Sequence, residues 1–430
     1  NPETSMTSLN TNIQSALSGL PTQTVQYTGT DVDDLNQFLQ NNTGKIVQLT
    51  QDIQVYKNTN GSFGIIMVPS DTILDGNGHS LVMKAGYTEA PDVGVVLYVY
   101  KNGVIPSTNC GVKNLSTDIP YVNSINVFSA DNILLENNTL NNATKSGIMI
   151  SDEYGSTVNG IIRGNTINNV GDDAIAVYGN HSNLLIDSNR ISGAKGFAGI
   201  AISCLQNGQQ IRVDNETTGP HDIIVTGNVI SGCSGEALYC IGSYKTYITY
   251  NTLRDSILEG VCLDSGCIGN YFAHNEVVNN GIAGGLPGVS IDNGIYNIVD
   301  SNNVYNNSCS GIKLVRTGLG NIIVNNICTD NAYNQMGAKS SGIDIEPLAV
   351  ETENLGYIDG LGSNWNVVLN NTVTGSHDFG VFIADDDTAN NGGSSCENVI
   401  MYNKFSSAYT FGAADFSSMS STVKNNITLN

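Results

Sequence analysis

The sequence predicts an all-β chain, a single-stranded parallel β-solenoid of about 12 coils behind an N-terminal capping helix. Three observations carry that expectation. First, a seven-residue frame, apolar-x-x-x-Asn-x-apolar, recurs ten times between Asn138 and Asn403. Second, each interval holds a short strand that is mostly opened by Gly. Third, the intervals are rich in Val and Ile and are broken every few residues by Gly or Asn, which excludes long helices.

The first 45 residues read as the cap. Over residues 30–40, TDVDDLNQFLQ, Thr30 or Asp31 suits an N-cap and acidic residues fill the first turn. Val32, Leu35, Phe38 and Leu39 form one apolar face. An earlier helix is expected near 7–18. Residues 46–405 are assigned to the solenoid and 406–430 to an irregular C-terminal closure, all in one structural domain.

The frame reads LLENNTL at Asn138, IIRGNTI at Asn165 and LIDSNRI at Asn189, and it ends as VIMYNKF at Asn403. Where no insertion intervenes, it returns after 23 to 27 residues, enough for one solenoid turn. The strands between the frames include GIMIS (147–151), AIAVY (174–178), ALYCI (237–241), GVCLD (260–264), GVSID (288–292), GIKLV (311–315), GIDIE (342–346) and GVFIA (380–384). Their second and fourth residues are apolar and face inward, so the third and fifth face out.

This pattern resembles the right-handed parallel β-helix of the pectin-lyase-like superfamily, over roughly residues 46–405. LDGNGHSL at 74–81 is similar to the opening coil of that group, and the aligned Asn residues resemble its Asn ladder. The handedness is what the resemblance implies. The superfamily spans lyases, hydrolases, epimerases, adhesins and phage tailspikes, so the fold alone names no reaction. GDDAIAV at 171–177 resembles the paired-Asp segment of polygalacturonases, but the companion segments are absent. Asp172 and Asp173 are therefore read as turn residues.

Composition narrows the partners. There are 17 basic and 39 acidic side chains, a formal charge of -22, and only 13% of residues are charged. That balance argues against nucleic acid and against an anionic membrane surface. Few Lys and many Ser, Thr and Asn point to a secreted or cell-surface protein. Asn1 in place of an initiator Met reads as a processed or trimmed chain. The nine Cys are an odd number without metal-type spacing and are read as buried, stacked thiols.

Against this low background, Asp264, Asp292, Lys313, Arg316, Asp344 and Glu346 fall on one outward face over four consecutive coils. Asp264 and Asp292 share a register. Two carboxylates so close repel, so one of them is expected to hold a proton, as acid–base chemistry needs. The expected catalytic groups are Asp264 and Asp292, with Glu346 as substitute for one. Lys313, Arg316, Asp344, Tyr239, Tyr244 and Trp365 are expected to bind substrate. Lengthened turns, which also carry Tyr333, Tyr357 and the triplet Asp385, Asp386, Asp387, are expected to wall a cleft.

Three functional classes fit these features. The leading one is a secreted glycoside hydrolase acting on an oligo- or polysaccharide. The second is a polysaccharide lyase or uronate epimerase. The third is a non-catalytic glycan-binding tailspike or adhesin, which carries the expectation of a homo-oligomer. No cofactor is expected, although stacked carboxylates with Asn293 also offer hard oxygen ligands for Ca²⁺.

Overall fold

Alternation of apolar and polar residues puts one side chain in two on the inside of each short strand. The strands stack into a parallel β-solenoid of about 12 turns. The computed structural model describes the chain except residues 58–63, 205–218, 334–340, 348–361, 385–392, 407–408, 410 and 418–420. It contains two compact units, the first mainly residues 1–201 and 220–229, the second mainly 230–430. Within each unit, successive coils contribute one strand to each of three parallel sheets.

In the second unit one sheet runs through Leu238–Ile241, Val261–Asp264, Val289–Ile295, Ile312–Leu319, Ser341–Glu346 and Phe379–Ile383. In the first, the matching sheet includes Val93–Val96, Asn123–Phe128, Ser146–Ser151 and Ile175–Tyr178. The inward row of the second unit is Leu238, Cys240, Val261, Leu263, Val289, Ile291, Ile312, Leu314, Ile343 and Ile345, all fully buried. Burial of each Leu, Ile or Val side chain contributes about 1.5–3 kcal/mol. Ile291 faces in and Asp292 faces out, so the expected register holds. A one-residue slip would reverse both.

The frame Asn residues turn the corners between sheets. The residue before each takes a left-handed backbone, with φ of 55° at Asn137, 56° at Ser188, 57° at His274 and 59° at Asn325. Each ladder Asn then satisfies itself along the axis. Asn275 donates Nδ2–H to Ile248 O at 2.9 Å and to Asn302 Oδ1 at 3.1 Å, and its backbone N–H reaches the same Oδ1 at 2.9 Å. The ladder links Asn138, Asn165, Asn189 and Asn228 in the first unit. In the second it links Asn251, Asn275, Asn302, Asn326, Asn371 and Asn403.

The second unit carries two further ladders, one through Asn270, Asn297, Asn321, Asn366 and Asn398 and one through Asn280, Asn307 and Asn331. In the last, His377 Nε2 takes the place of an Asn oxygen and accepts the Asn331 N–H at 3.1 Å. Burial lowers His377 to about 4, which keeps that nitrogen free to accept.

Both ends differ from expectation. Helix Pro2–Ala16 starts early because Asn1 Oδ1 accepts the Glu3 N–H at 3.0 Å and Pro occupies the first turn. It lies against strands Val158–Arg163 and Ser182–Asp187, on the flank of the first unit. Helix Val32–Asn41, capped by Asp31, packs its buried Val32, Leu35 and Leu39 beside the first coils. The first solenoid strand is already Thr24–Tyr27, paired with Ile46–Leu49. At the other end, the described residues after 406 form strands Phe411–Asp415, Thr422–Lys424 and Ile427–Leu429, one in each sheet, in place of an irregular closure. Asn426 accepts from Asn403 at 3.0 Å and extends the ladder. Its frame reads TVKNNIT, with Thr at both apolar ends, which hid the repeat.

All nine Cys are buried and free, as expected. Asp173 is buried and its Oδ1 accepts the Ala198 N–H at 2.8 Å, a structural role at a turn. Among the described residues no helix is long and apolar enough to cross a membrane.

Candidate functional site

The outward face of the second unit's strand stack is built by register alone. Tyr239 pairs with Cys262, Cys262 with Ser290, Ser290 with Lys313, and Lys313 with Asp344. Two residues along, Asp264 pairs with Asp292, and Val315 with Glu346. Asp264 and Asp292 are therefore neighbours on adjacent coils, about 4.8 Å apart in the backbone.

Asp264 accepts two hydrogen bonds, and a cation stands beside Asp292. Tyr239 Oη donates to Asp264 Oδ2 at 2.6 Å and Ser265 Oγ donates to Asp264 Oδ1 at 2.9 Å. Arg316 Nε lies 3.4 Å from Asp292 Oδ1. Arg316 reaches back because the pairing of Val289–Ile295 with Ile312–Leu319 is irregular between Asp292 and Gly294. At that bulge Asn293 Oδ1 accepts the Thr317 N–H at 3.1 Å, and Arg316 itself takes φ 61°. The extra residue bends the strand and re-aims the guanidinium along the face.

Lys313 joins the other acids. Its Nζ lies 3.1 Å from Glu346 Oε2 and 3.9 Å from Asp344 Oδ2. Burial works against the lysine's charge, but Asp344 and then Glu346 outweigh it and raise its pKa above the ordinary lysine value. Asp344 stands at an outward position yet is 0% exposed, with Phe382 in register on the next coil. Burial, followed by the Glu346 charge, pushes its carboxyl well above the usual range against the pull of Lys313. Lys313 thus stands between two carboxyls, with Glu346 at ion-pair distance and the buried Asp344, its pKa raised, behind.

Sequence reasoning missed a second acidic row. Glu236 and Glu259 precede the small residues that open their strands, and the Ala237 N–H to Glu259 O bond of 3.1 Å puts them in register. Burial first, then the Asp264 charge, pushes Glu236 up to about 7. Burial and then the Glu236 charge push Glu259 up to about 8. The carboxyls driven toward neutrality here are these two and Asp344. The signal was present in SGEALYCI and LEGVCLD, where aligning Ala237 with Gly260 aligns the two glutamates. Cys262, amid these acids, is buried and its thiol is pushed far up, which leaves it unreactive.

Other expected residues lie apart. Tyr244 opens Tyr244–Thr249, a strand of a different sheet from that of Tyr239, and is buried. The chain bends between them at Gly242, φ 59°. Trp365 is exposed, and its indole N–H donates to Glu397, outside the acidic cluster. Tyr333 is exposed, with Oη 3.5 Å from Asn279 Oδ1. Tyr357, the Asp385–Asp387 triplet and most of the lengthened turns lie outside the described residues. Among the described residues no group of three or more His, Cys, Asp or Glu is arranged to hold a metal ion.

Comparison with known proteins bears on the fold. The family model described as "Right handed beta helix region" matches residues 97–218. No curated protein sequence matches the chain. The A-module of the mannuronan C-5 epimerase AlgE6 of Azotobacter vinelandii is similar at TM-score 0.58 and 13% identity, covering 94% of this chain and 100% of that one. A mutant tailspike protein of E. coli bacteriophage HK620, in complex with pentasaccharide, is similar at TM-score 0.53 and 16% identity, covering 92% and 73%. Ladder, register and these likenesses agree on the fold: the chain is a right-handed parallel β-helix.

Proposed function

We propose that this protein is a secreted carbohydrate-active enzyme, a glycoside hydrolase that uses Asp264 and Asp292. One observation carries the reading: two aspartates stacked on adjacent coils on the outward face of the sheet, one hydrogen-bonded by Tyr239 and Ser265 and the other beside Arg316. Their backbone spacing of about 4.8 Å is close to the roughly 5–5.5 Å between carboxyls of retaining glycosidases. Asp292 and Glu346 are two coils apart, about 9.6 Å, at the edge of the inverting range. In this reading Arg316 keeps Asp292 an acceptor, Tyr239 and Ser265 orient Asp264, and the Lys313–Glu346 pair offers polar contacts to sugar hydroxyls. That the two similar structures are an epimerase and a saccharide-bound tailspike supports carbohydrate as the ligand class.

The test is a glycan panel read by mass spectrometry, followed by NMR of the first anomer released. Retention is expected, and inversion would move the chemistry to Asp292 and Glu346. Asp264→Asn and Asp292→Asn should each lower turnover by at least roughly 10²–10⁴-fold with the fold intact. Near-normal turnover in both variants would make the pair a surface ladder.

A second reading, a lyase or uronate epimerase, is favoured by Lys313 and Arg316, cations that suit a uronate carboxylate. An unsaturated product absorbing in the ultraviolet, or solvent deuterium at C5, would replace hydrolysis with it. Activity lost to a chelator and restored by Ca²⁺ would favour it further. Binding of a glycan without turnover would leave only the tailspike-like or adhesin-like role, with self-association as its companion.

A further inference from the structure

The corner that follows the candidate sheet is filled differently in the two units. The residue six places before a frame Asn takes a left-handed backbone there, coil after coil. In the first unit it is Asn132, Asn159 and Asn183, with φ of 54°, 63° and 56°. Asn tolerates that backbone, and the row bonds to itself. Asn159 Nδ2–H donates to Asn132 Oδ1 at 3.0 Å, and Asn183 Nδ2–H to Asn159 Oδ1 at 3.2 Å.

In the second unit the position reads Gly269, Tyr296, Gly320, Trp365 and Glu397. Tyr296 has φ 54° and Trp365 φ 58°, a backbone that bulky side chains rarely take. Gly or Asn would hold the same corner with less strain, and strain of this kind clusters where ligands bind. Neither ring fills a core, since Tyr296 is 65% exposed and Trp365 57%. A Cβ on Gly320 would come within 2.7 Å of the Tyr296 ring, so that ring rests on the bare backbone of the next coil. Trp365 is held by its indole N–H, which donates to Glu397 on the coil after it. Both side chains lean toward the following coil, and their backbones are two coils apart, about 9.6 Å.

The row adjoins the aspartate pair. Tyr296 follows Asp292 by four residues, and Gly320 follows Arg316 by four, a reach of at most about 14 Å. The two rings therefore begin on the coil of Asp292 and end two coils on, at the edge of the same sheet. We infer that Tyr296 and Trp365 form a stacking platform for a glycan chain that leaves the aspartate pair obliquely along the solenoid axis. The inference deepens the carbohydrate reading of the aspartate face and rests on it. The C–H face of a pyranose ring is apolar and lies flat on an aromatic ring, while its hydroxyls stay in water. Rings two coils apart need an extended chain to touch both, so the platform selects a polymer over a single sugar.

Trp365 is the only Trp in the chain, so its emission reports this place alone. Oligosaccharides of increasing length, prepared from each polysaccharide of the panel, are titrated into the full chain carrying Asp292→Asn. Long chains of the bound glycan should shift or quench the emission saturably, and its monosaccharide should not. Trp365→Gly and Tyr296→Gly, read by calorimetry in the same background, should each weaken long-chain binding by roughly tenfold or more, and Trp365→Tyr should recover most of that loss. Because Gly suits the left-handed backbone, both Gly variants should melt no lower than their parent. Long-chain affinity that is unchanged in both Gly variants, or that falls only together with the melting temperature, would overturn the platform. So would self-association of the parent that Trp365→Gly abolishes, which would assign the rings to a second copy of the chain. Emission unmoved by a chain that the wild type cleaves would overturn the platform and leave the hydrolase reading standing. Emission moved by a glycan that is bound and never cleaved would support the platform and end the hydrolase reading. A wild type that neither binds nor cleaves any glycan of the panel ends both.

Discussion

Two places on the solenoid set a cation beside two carboxylates of neighbouring coils. In the first unit Arg163 stands in register between Glu136 and Asp187, with Nε 3.0 Å from Asp187 and Nη1 3.9 Å from Glu136. In the second, Lys313 Nζ is 3.1 Å from Glu346 and 3.9 Å from Asp344. The distances nearly coincide and the surroundings do not. Side-chain exposures are 34%, 26% and 24% for Arg163, Glu136 and Asp187, against 12%, 14% and 0% for Lys313, Glu346 and Asp344. Two unit charges 4 Å apart attract by about 1 kcal/mol in water and about 4 kcal/mol at an effective dielectric of 20. Register makes both stacks, and burial decides which one is a solvated ladder.

The largest effect expected from this contrast is at Lys313. Lys313→Met keeps most of the stem and removes the charge, leaving Asp344 and Glu346 as unpaired neighbours. Breaking a buried pair from one side costs about 3–5 kcal/mol. The loss should be largest near pH 8 and smaller near pH 5. Asp344 already has a raised folded pKa, and without Lys313 it rises further. A group raised above its unfolded value stabilises below that value and loses the contribution as pH rises. Lys313→Met/Asp344→Asn should recover much of the loss. Urea titrations at the two pH values measure this, and a Lys313→Met loss below about 1 kcal/mol would erase the distinction between the stacks.

How much of this the sequence showed depends on what strand alternation encodes. Period two gives the face of every strand residue, so Asp264 over Asp292 and Lys313 beside Asp344 were legible. It does not give what covers the face, so Asp344 read as exposed and is buried. Glu236 and Glu259 precede their strands, where alternation has no meaning, and were lost. The two extra ladders were legible in principle. Asn270, Asn297, Asn321, Asn366 and Asn398 each lie five residues before a frame Asn, a spacing fixed by the strand between two corners. Tyr244 failed for the opposite reason, since closeness in sequence is lost when the chain bends into another sheet.

A smaller effect separates the two units by pH. Glu236 and Glu259 have folded pKa values of about 7 and about 8, against about 4.3 unfolded. Their contribution is complete below about pH 4.3 and is lost as pH climbs through the folded values. Each should give a slope approaching 1.4 kcal/mol per pH unit while native and unfolded states differ by one proton, about 1.4 being the value of one pKa unit. His181 in the first unit acts with the other sign, because burial lowers its pKa, and His377 does likewise. Both therefore cost stability as pH falls below about 6.5. Between pH 6.5 and 8 the glutamates dominate, so stability should fall with rising pH. Glu236→Gln/Glu259→Gln should flatten that slope. An unchanged slope would place the titration elsewhere.

The smallest effect is expected at Arg163, and it is the control for the whole comparison. Arg163→Met keeps the apolar stem over the coil and removes only the guanidinium, so packing changes little. Glu136 and Asp187 then face each other across two coils with solvent beside them, and water screens what the cation had offset. Exposed pairs of this kind contribute about 0.2–1 kcal/mol. The Debye length falls from about 10 Å at 0.1 M salt to about 3 Å at 1 M, so even this small loss should vanish in 1 M sodium chloride. The loss from Lys313→Met should persist there, because mobile ions cannot enter its buried contact. Thermal melts of both variants at the two salt concentrations make the measurement. An Arg163→Met loss above about 2 kcal/mol, or one that survives high salt, would mean that the first unit's stack is as enclosed as the second's, and burial would cease to mark the site.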